Sequence, residues 1–312
     1  MNRKRKVMTL ILVVALLFVL TSCSGGQVNK PISFDPKIAN WFDWILVIPV
    51  GWVMQLFAGL FNNNFAAGII ITTIIIRTIA WPIYAKSSDM SLKMAIMQPD
   101  IQRLQAKYAH RQDTESQQRM RMEMAAIYKK HNFNPLGCFM PLVQMPIFIA
   151  VYQTVQRIWI TGYEKDGVIY NGVWADKVSD MNFLTIDLSL KGNLGLIFGK
   201  GGDWKGWILA IVVLITNIIL NYIAMLKPSY QKQTHTHTQQ AAEAEQSQKM
   251  MKYMQIFMIV MMFGIALNSN SLALYWAVGN TYSIGQTLVN RKINERKYYK
   301  MKHQDLVVKK RD

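Results

Sequence analysis

Residues 65–85 read FAAGIIITTIIIRTIAWPIYA, and this stretch decides the fold. At about 1.5 Å per helical residue it is long enough to cross the roughly 30 Å of hydrocarbon in a bilayer. Arg77 lies inside it. An arginine near the centre of a span costs roughly 2.5–3.5 kcal/mol on insertion scales, so it requires a wet cavity or a partner. An internal partner would be a carboxylate, yet the apolar segments 136–155, 207–226, 254–267 and 272–289 contain no Asp or Glu. Snorkelling of the long stem toward an interface is the structural alternative. The functional expectation is that Arg77 lines a water-filled notch that receives a transient guest.

The surrounding composition sets the class. The 312 residues are 51% hydrophobic and carry 35 Lys plus Arg against 18 Asp plus Glu, a formal charge of +17. In a soluble chain that balance points first to nucleic acid, but excess Lys and Arg in short cytoplasmic loops explains much of it here. The expected fold is therefore all-α and membrane-embedded. Of the two cysteines, Cys23 lies in a processing site and Cys138 at the start of a span, which disfavours a disulfide framework or a Cys-ligated metal. His235 and His237 in THTHT have no further ligands nearby, so no metal site is expected. With no Ser/His/Asp set, HExxH, P-loop or intramembrane carboxylate pair, the chain does not read as an enzyme.

In chain order, residues 1–22 read as a secretory signal: Arg3 to Lys6, an apolar core from Val7 to Leu20, then Leu-Thr-Ser before Cys23. The quartet ending at Cys23 resembles the lipobox of bacterial lipoproteins. That resemblance implies diacylglycerol on the Cys23 thiol, with an N-acyl lipid as a further candidate; an ordinary signal peptide with an incidental Cys is the alternative. Residues 23–61 then form a lipidated external tether followed by a Trp-rich apolar segment with Trp41, Trp44 and Trp52, broken by Asp43, Pro49 and Gly51. This reads as a helix lying in the outer interface. A full span is the alternative, and it would invert the topology.

Residues 62–290 hold the main domain. Within it, 86–133 turns charged, with nine bases against five acids, and Met90, Met94, Met97, Ile101, Leu104 and Tyr108 repeat at steps of four and three. That is the seam of a helix, and a second helix starts at a capping box Thr114 to Gln117 with Met120, Met124 and Ile127 on one face. The pair is expected to form a cytoplasmic helical hairpin. A second span, Asn134 to Val155, is bent by Pro141 and Pro146; residues 157–205 are an external loop, and a third span runs from Trp207 to Leu226. A polar connection at 227–249 precedes a fourth span at 250–267, a turn at 268–271, and a fifth at 272–289. The tail 291–312 has nine bases against three acids. Five transmembrane helices after an external start put the hairpin and the tail in the cytoplasm, as the Lys/Arg bias also requires.

The strings IIIRTIAWPI, NPLGCFMPLVQMPIFIAVY and LALYWAVGN, in that order around a basic hairpin, resemble the YidC/OxaA-type membrane protein insertases. The lipobox and the lack of a large external domain resemble the Gram-positive branch. The resemblance implies a five-span bundle with a hydrophilic groove open to the cytoplasm and lipid, with Arg77 in it and Asn217, Asn221 and Trp276 lining it. Relatives commonly carry Gln on the third span, where Asn217 and Asn221 stand here. Thr73 shares a face with Arg77, and Asn280 and Ser283 share another; Gln144 of the second span completes the candidate set. Periodicity alone leaves open whether these faces meet.

The function so implied is a membrane protein insertase and chaperone of the bacterial cell membrane that integrates and helps fold newly made membrane proteins. A wet groove shortens the dry distance for a polar client segment and lets Arg77 pair transiently with a client carboxylate. Burial of the client's apolar segment supplies the drive, with no nucleotide. Candidate partners besides nascent chains and lipid are a ribosome, reached by the basic hairpin and tail, and a Sec-type translocon; the tail is equally suited to RNA phosphates and to anionic headgroups. The rival class is a transporter or channel for an anionic solute.

Overall fold

The computed structural model describes residues 29–108, 113–133, 140–177, 180–189, 204–226 and 239–309. Cys23, His235 and His237 lie outside them, as do residues 134–139 of the second-span string. The elements are predominantly helical: α1 (Asp43–Leu60), α2 (Phe65–Ile79), α3 (Trp81–Tyr108), α4 (Thr114–Lys130), α5 (Met140–Arg157), α6 (Trp204–Met225), α7 (Gln239–Asn268) and α8 (Asn270–Lys309). Two short antiparallel ribbons, β1 (Gly162–Lys165) with β2 (Val168–Asn171) and β3 (Asn182–Phe183) with β4 (Ile186–Asp187), occupy the segment between α5 and α6. By length and composition α1 and α6 can each cross a bilayer, and α2 joined to the start of α3 makes a third candidate. Gln255–Asn268 is a shorter apolar helix.

The chain divides into two compact units, one of residues 1–78, 141–218 and 256–282, the other of 79–140, 219–255 and 283–312. In the first unit, α1 begins with a reciprocal cap. Asn40 Oδ1 accepts from the Asp43 N–H at 2.8 Å and Asp43 Oδ2 accepts from the Asn40 N–H at 3.2 Å. This satisfies two donors that the first turn would otherwise leave open. Val47, Met54 and Ala58 of α1 are buried, while Trp44, Ile45, Trp52, Leu56 and Leu60 are exposed, so both of its faces are apolar. Such a helix needs hydrocarbon on the side that the protein does not cover.

The contacts of α1 show how it lies. Its first turn is ion-paired to Arg157 in the last turn of α5, and Val47 O accepts from Thr154 Oγ1 at 3.2 Å. The Trp174 ring covers its middle so closely that a β-carbon on Gly51 would lie 2.6 Å from Trp174 Cζ3. Near its end, a β-carbon on Gly68, in the first turns of α2, would lie 2.7 Å from Met54 O, a close helix approach that only glycine allows. The same end of the unit holds the bond from Phe65 N–H to Asp180 O at 2.9 Å, Gln156 Nε2 to Ser269 Oγ at 2.6 Å, and Asn270 Nδ2 to Asp187 O at 2.8 Å. Helix α1 thus touches the rest of the unit at its start, in its middle and again at Met54 and Ala58.

In the second unit, α3 and α4 run antiparallel. Glu123 accepts from Lys107 Nζ at 2.7 Å and from Tyr108 Oη at 2.8 Å, while Asp100 meets Lys130 and His131 at 3.0 Å. Leu92, Met97, Leu104 and Tyr108 are buried between them, whereas Met94, expected in the seam, is exposed. The cap of α4 also differs from expectation by one residue: Asp113, whose carboxylate accepts from the Ser116 N–H at 2.8 Å, fills the place assigned to Thr114. A carboxylate there also complements the helix dipole. The last part of α8 packs parallel to α3 through Trp81 Nε1 to Asn290 Oδ1 at 3.2 Å, Asn294 Nδ2 to Ser88 Oγ at 2.9 Å and Lys297 Nζ to Asp89 at 2.8 Å.

Candidate functional site

Arg77 lies in the last turn of α2, half-buried, behind the β-branched run Ile69 to Ile76. Its guanidinium rests against α8. A β-carbon at Gly279 would stand 3.0 Å from Arg77 Nη2 and 3.5 Å from Nε, so the missing side chain there is what makes room for the charge. Next to this pair, Thr78 Oγ1 and Tyr282 Oη are 2.9 Å apart. One turn earlier, Thr73 is buried with its hydroxyl bonded back to Ile69 O at 2.6 Å. Thr72 Oγ1 is buried with no hydrogen-bond partner among the described residues.

The following residue of α8 continues the polar line toward α6. Asn280 Nδ2 donates to Thr216 Oγ1 at 3.4 Å, and the adjacent Asn217 donates to Met262 Sδ of α7 at 3.0 Å. Three helices thus meet through amide, hydroxyl and thioether contacts inside otherwise apolar surfaces. A polar group in that setting costs free energy unless it is bonded, which accounts for the pairing. Trp276 is buried, stacked on Phe148 of α5 at 6.0 Å between centroids and 11° between planes. The indole therefore belongs to an aromatic cluster with Tyr152 and Tyr275.

Of the residues predicted from sequence, Thr73, Arg77, Asn217, Trp276 and Asn280 fall in the first unit. Arg77 meets Gly279, whereas the next residue, Asn280, reaches Thr216 of α6, and Trp276 sits one turn earlier on α8. Asn221 and Ser283, although at helical spacing from Asn217 and Asn280, belong to the second unit. Gln144 is helical within α5, and its side chain lies outside the described ones. Gly279, Tyr282 and Thr216 were missed, because a glycine and two hydroxyls in spans carry no signal until their neighbours are known.

The other missed feature is an ion pair. Arg157 is fully buried and grips Asp43 with both ends of its fork, Nη1 to Oδ1 at 2.6 Å and Nη2 to Oδ2 at 3.1 Å. Its remaining donors reach Gln153 Oε1 at 2.8 Å, Lys30 O at 2.9 Å and Pro31 O at 3.2 Å. The bidentate planar match is the strong form of a charged hydrogen bond. In the sequence Asp43 reads only as an interruption and Arg157 as the first loop residue. Among the described residues no three of His, Cys, Asp and Glu gather as a metal would require.

Residues 56–297 match the family model described as 60Kd inner membrane protein. The chain is 31% identical over 287 residues to membrane protein insertase YidC 2 of Listeria innocua, covering 92% of this chain and 83% of that one. It is 30% identical over 285 residues to membrane protein insertase YidC 2 of Bacillus anthracis, covering 91% and 92%. With membrane protein insertase MisCA of Bacillus subtilis it shares 29% over 288 residues, covering 92% and 91%.

Proposed function

The chain belongs to the 60Kd inner membrane protein family, and from that premise we propose that it integrates newly made membrane proteins through a polar groove centred on Arg77. The family is embedded in the bacterial inner membrane, non-enzymatic, and acts on nascent membrane proteins in the bilayer. The anionic-solute transporter is not favoured, because relatives aligned along 92% of this chain carry the insertase name.

The observation that carries the reading is the half-buried Arg77 against Gly279, in an apolar helix pair whose next residues, Thr78 and Asn280, also make polar contacts between helices. A guanidinium so held is a fixed cation at the wall of a polar groove between apolar helices, where attraction to a client carboxylate is stronger than in bulk water. Pairing lowers the desolvation cost of a short acidic segment while the client's apolar segment partitions into lipid. The reading places α1 in the outer interface, which its exposed Trp44 and Trp52 support, and makes α2, α5, α6 and the apolar parts of α7 and α8 the five spans. The hairpin 86–133 and the tail then face the cytoplasm, the lipid on Cys23 lies outside, and a ribosome and a Sec-type translocon are the candidate partners.

The test is insertion by purified protein in liposomes, read as protease protection of a single-span client with an acidic external segment. Protection of the client with protein present, and none in empty liposomes, supports the reading; uptake of anionic solute without insertion refutes it. A sharper version uses Gly279→Ala. Removing a glycine from a helix interior adds about 0.5–1 kcal/mol of stability. The new methyl also displaces the guanidinium from its rotamer, which should reduce insertion of the acidic client about two- to tenfold. Thermal stability held or raised alongside lowered insertion is the expected outcome; parallel loss of both would mean that Gly279 serves packing alone.

A further inference from the structure

The second unit contains a cavity of about 400 Å³, separate from the residues around Arg77. Three elements build it: α3 supplies Lys93, the end of α4 supplies Lys130 and His131, and α8 supplies Lys297 and Lys300. Like charges brought together raise the energy of the folded chain, so the cluster needs compensation. Part of it is internal. Asp89 lies 2.8 Å from Lys297 and 3.9 Å from Lys93, and Asp100 lies 3.0 Å from both Lys130 and His131. Hydrogen bonds from His131 and Lys130 hold the Asp100 carboxyl below the usual carboxylate range, so it keeps its charge at neutral pH. Two carboxylates against four lysines still leave two positive charges. Among the described residues Lys300 is the lining lysine with no carboxylate partner.

The remaining lining is apolar: Leu92, which is buried, with Ile96 and Met301. A small-molecule site characteristically combines such a floor with a few convergent charged groups, in a volume of roughly 300–1,000 Å³. Lysine ammonium groups are mobile point charges with three donors each, suited to the distributed oxygens of a phosphate. Its depth is also informative. Indole rings favour the headgroup level, Trp81 bonds Asn290, and Lys297 lies about 10 Å further along α8 at 1.5 Å per residue. Flexible lysine stems span much of that distance and reach the headgroup layer.

We propose that this cavity binds a phosphate group, carried either by the headgroup of an anionic phospholipid or by a free phosphate compound. The charge excess supplies the attraction, Lys300 is the uncommitted donor, and the apolar floor accepts the carbon part of the ligand.

The full chain, purified in a neutral detergent, is the material for the test. Phosphatidylglycerol is titrated and bound lipid is counted by native mass spectrometry; inorganic phosphate is titrated separately by calorimetry. Lys300→Gln removes the uncommitted cation from an exposed position, and Lys129→Gln removes the same charge from α4 outside the cavity. One bound lipid or one bound phosphate is expected, weakened about tenfold in Lys300→Gln and unchanged in Lys129→Gln. Lipid binding without phosphate binding assigns the headgroup as the source, and the reverse assigns a soluble compound. Equal weakening in both variants, or no binding of either probe, overturns the proposal. So does RNA oligonucleotide binding that is lost in Lys300→Gln while neither probe binds, which would reassign the cavity to nucleic acid.

Discussion

Arg157→Ala is expected to destabilise the first unit by about 3–5 kcal/mol, the cost of removing one partner from a buried ion pair. Asp43 would be left buried without its counter-charge, and Lys30 O and Pro31 O would lose their donor. In thermal unfolding of the purified protein this corresponds to a fall in the midpoint on the order of 10 °C. The double replacement Asp43→Leu with Arg157→Met removes both charges and refills most of the volume, and should recover much of the loss. If the double variant is no more stable than Arg157→Ala, the backbone carbonyls rather than the ion pair carry the effect. Protease cleavage near Lys30 reports the same event locally, since its carbonyl is one of the bonds lost.

Arg77→Ala is the variant with the largest expected effect on activity. In liposomes, insertion of a client with an acidic external segment should fall by about tenfold or more, the worth of a hydrogen bond to a charged group. A client whose external segment is neutral should lose much less. Equal loss for both would sink the ion-pair account and leave Arg77 as a hydrating residue only. Arg77→Lys separates charge from shape: substantial retained activity means that a cation suffices, and loss comparable to Arg77→Ala means that the planar fork is needed. Gly279 makes that experiment informative, because its missing side chain leaves room beside the guanidinium, and a lysine ammonium is smaller.

Much of this arrangement was legible in the sequence for a physical reason. Spans announce themselves by unbroken apolar runs, and Arg77 is conspicuous because it is charged within one. Helix ends were also readable, though Asp113 rather than Thr114 caps α4, since adjacent capping residues compete and the backbone path decides. Contacts far apart in the chain were not readable. Arg157 and Asp43 are 114 residues apart, and Asn280 and Thr216 are 64 apart; neither pair has any local pattern. The partners of α1 were equally hidden, because a helix apolar on both faces has no periodicity that says which side packs against protein. Asn221, one helical turn beyond Asn217 on α6, falls in the second unit, a division that helical spacing does not reveal.

The Arg157 clasp has a mechanical consequence. Tension on the chain upstream of Lys30 meets the Arg157 bonds to Lys30 O and Pro31 O, then the Val173 N–H bond to Ile32 O at 2.9 Å. These attachments lie before α1 begins, so the load passes into α5 and the loop that follows it. Arg157 also holds Asp43, so part of the pull enters the first turn of α1, and it reaches α2 only through the packing of Met54 and Ala58 on Gly68. Drift of whatever holds the beginning of the chain would therefore meet the clasp first and the guanidinium last.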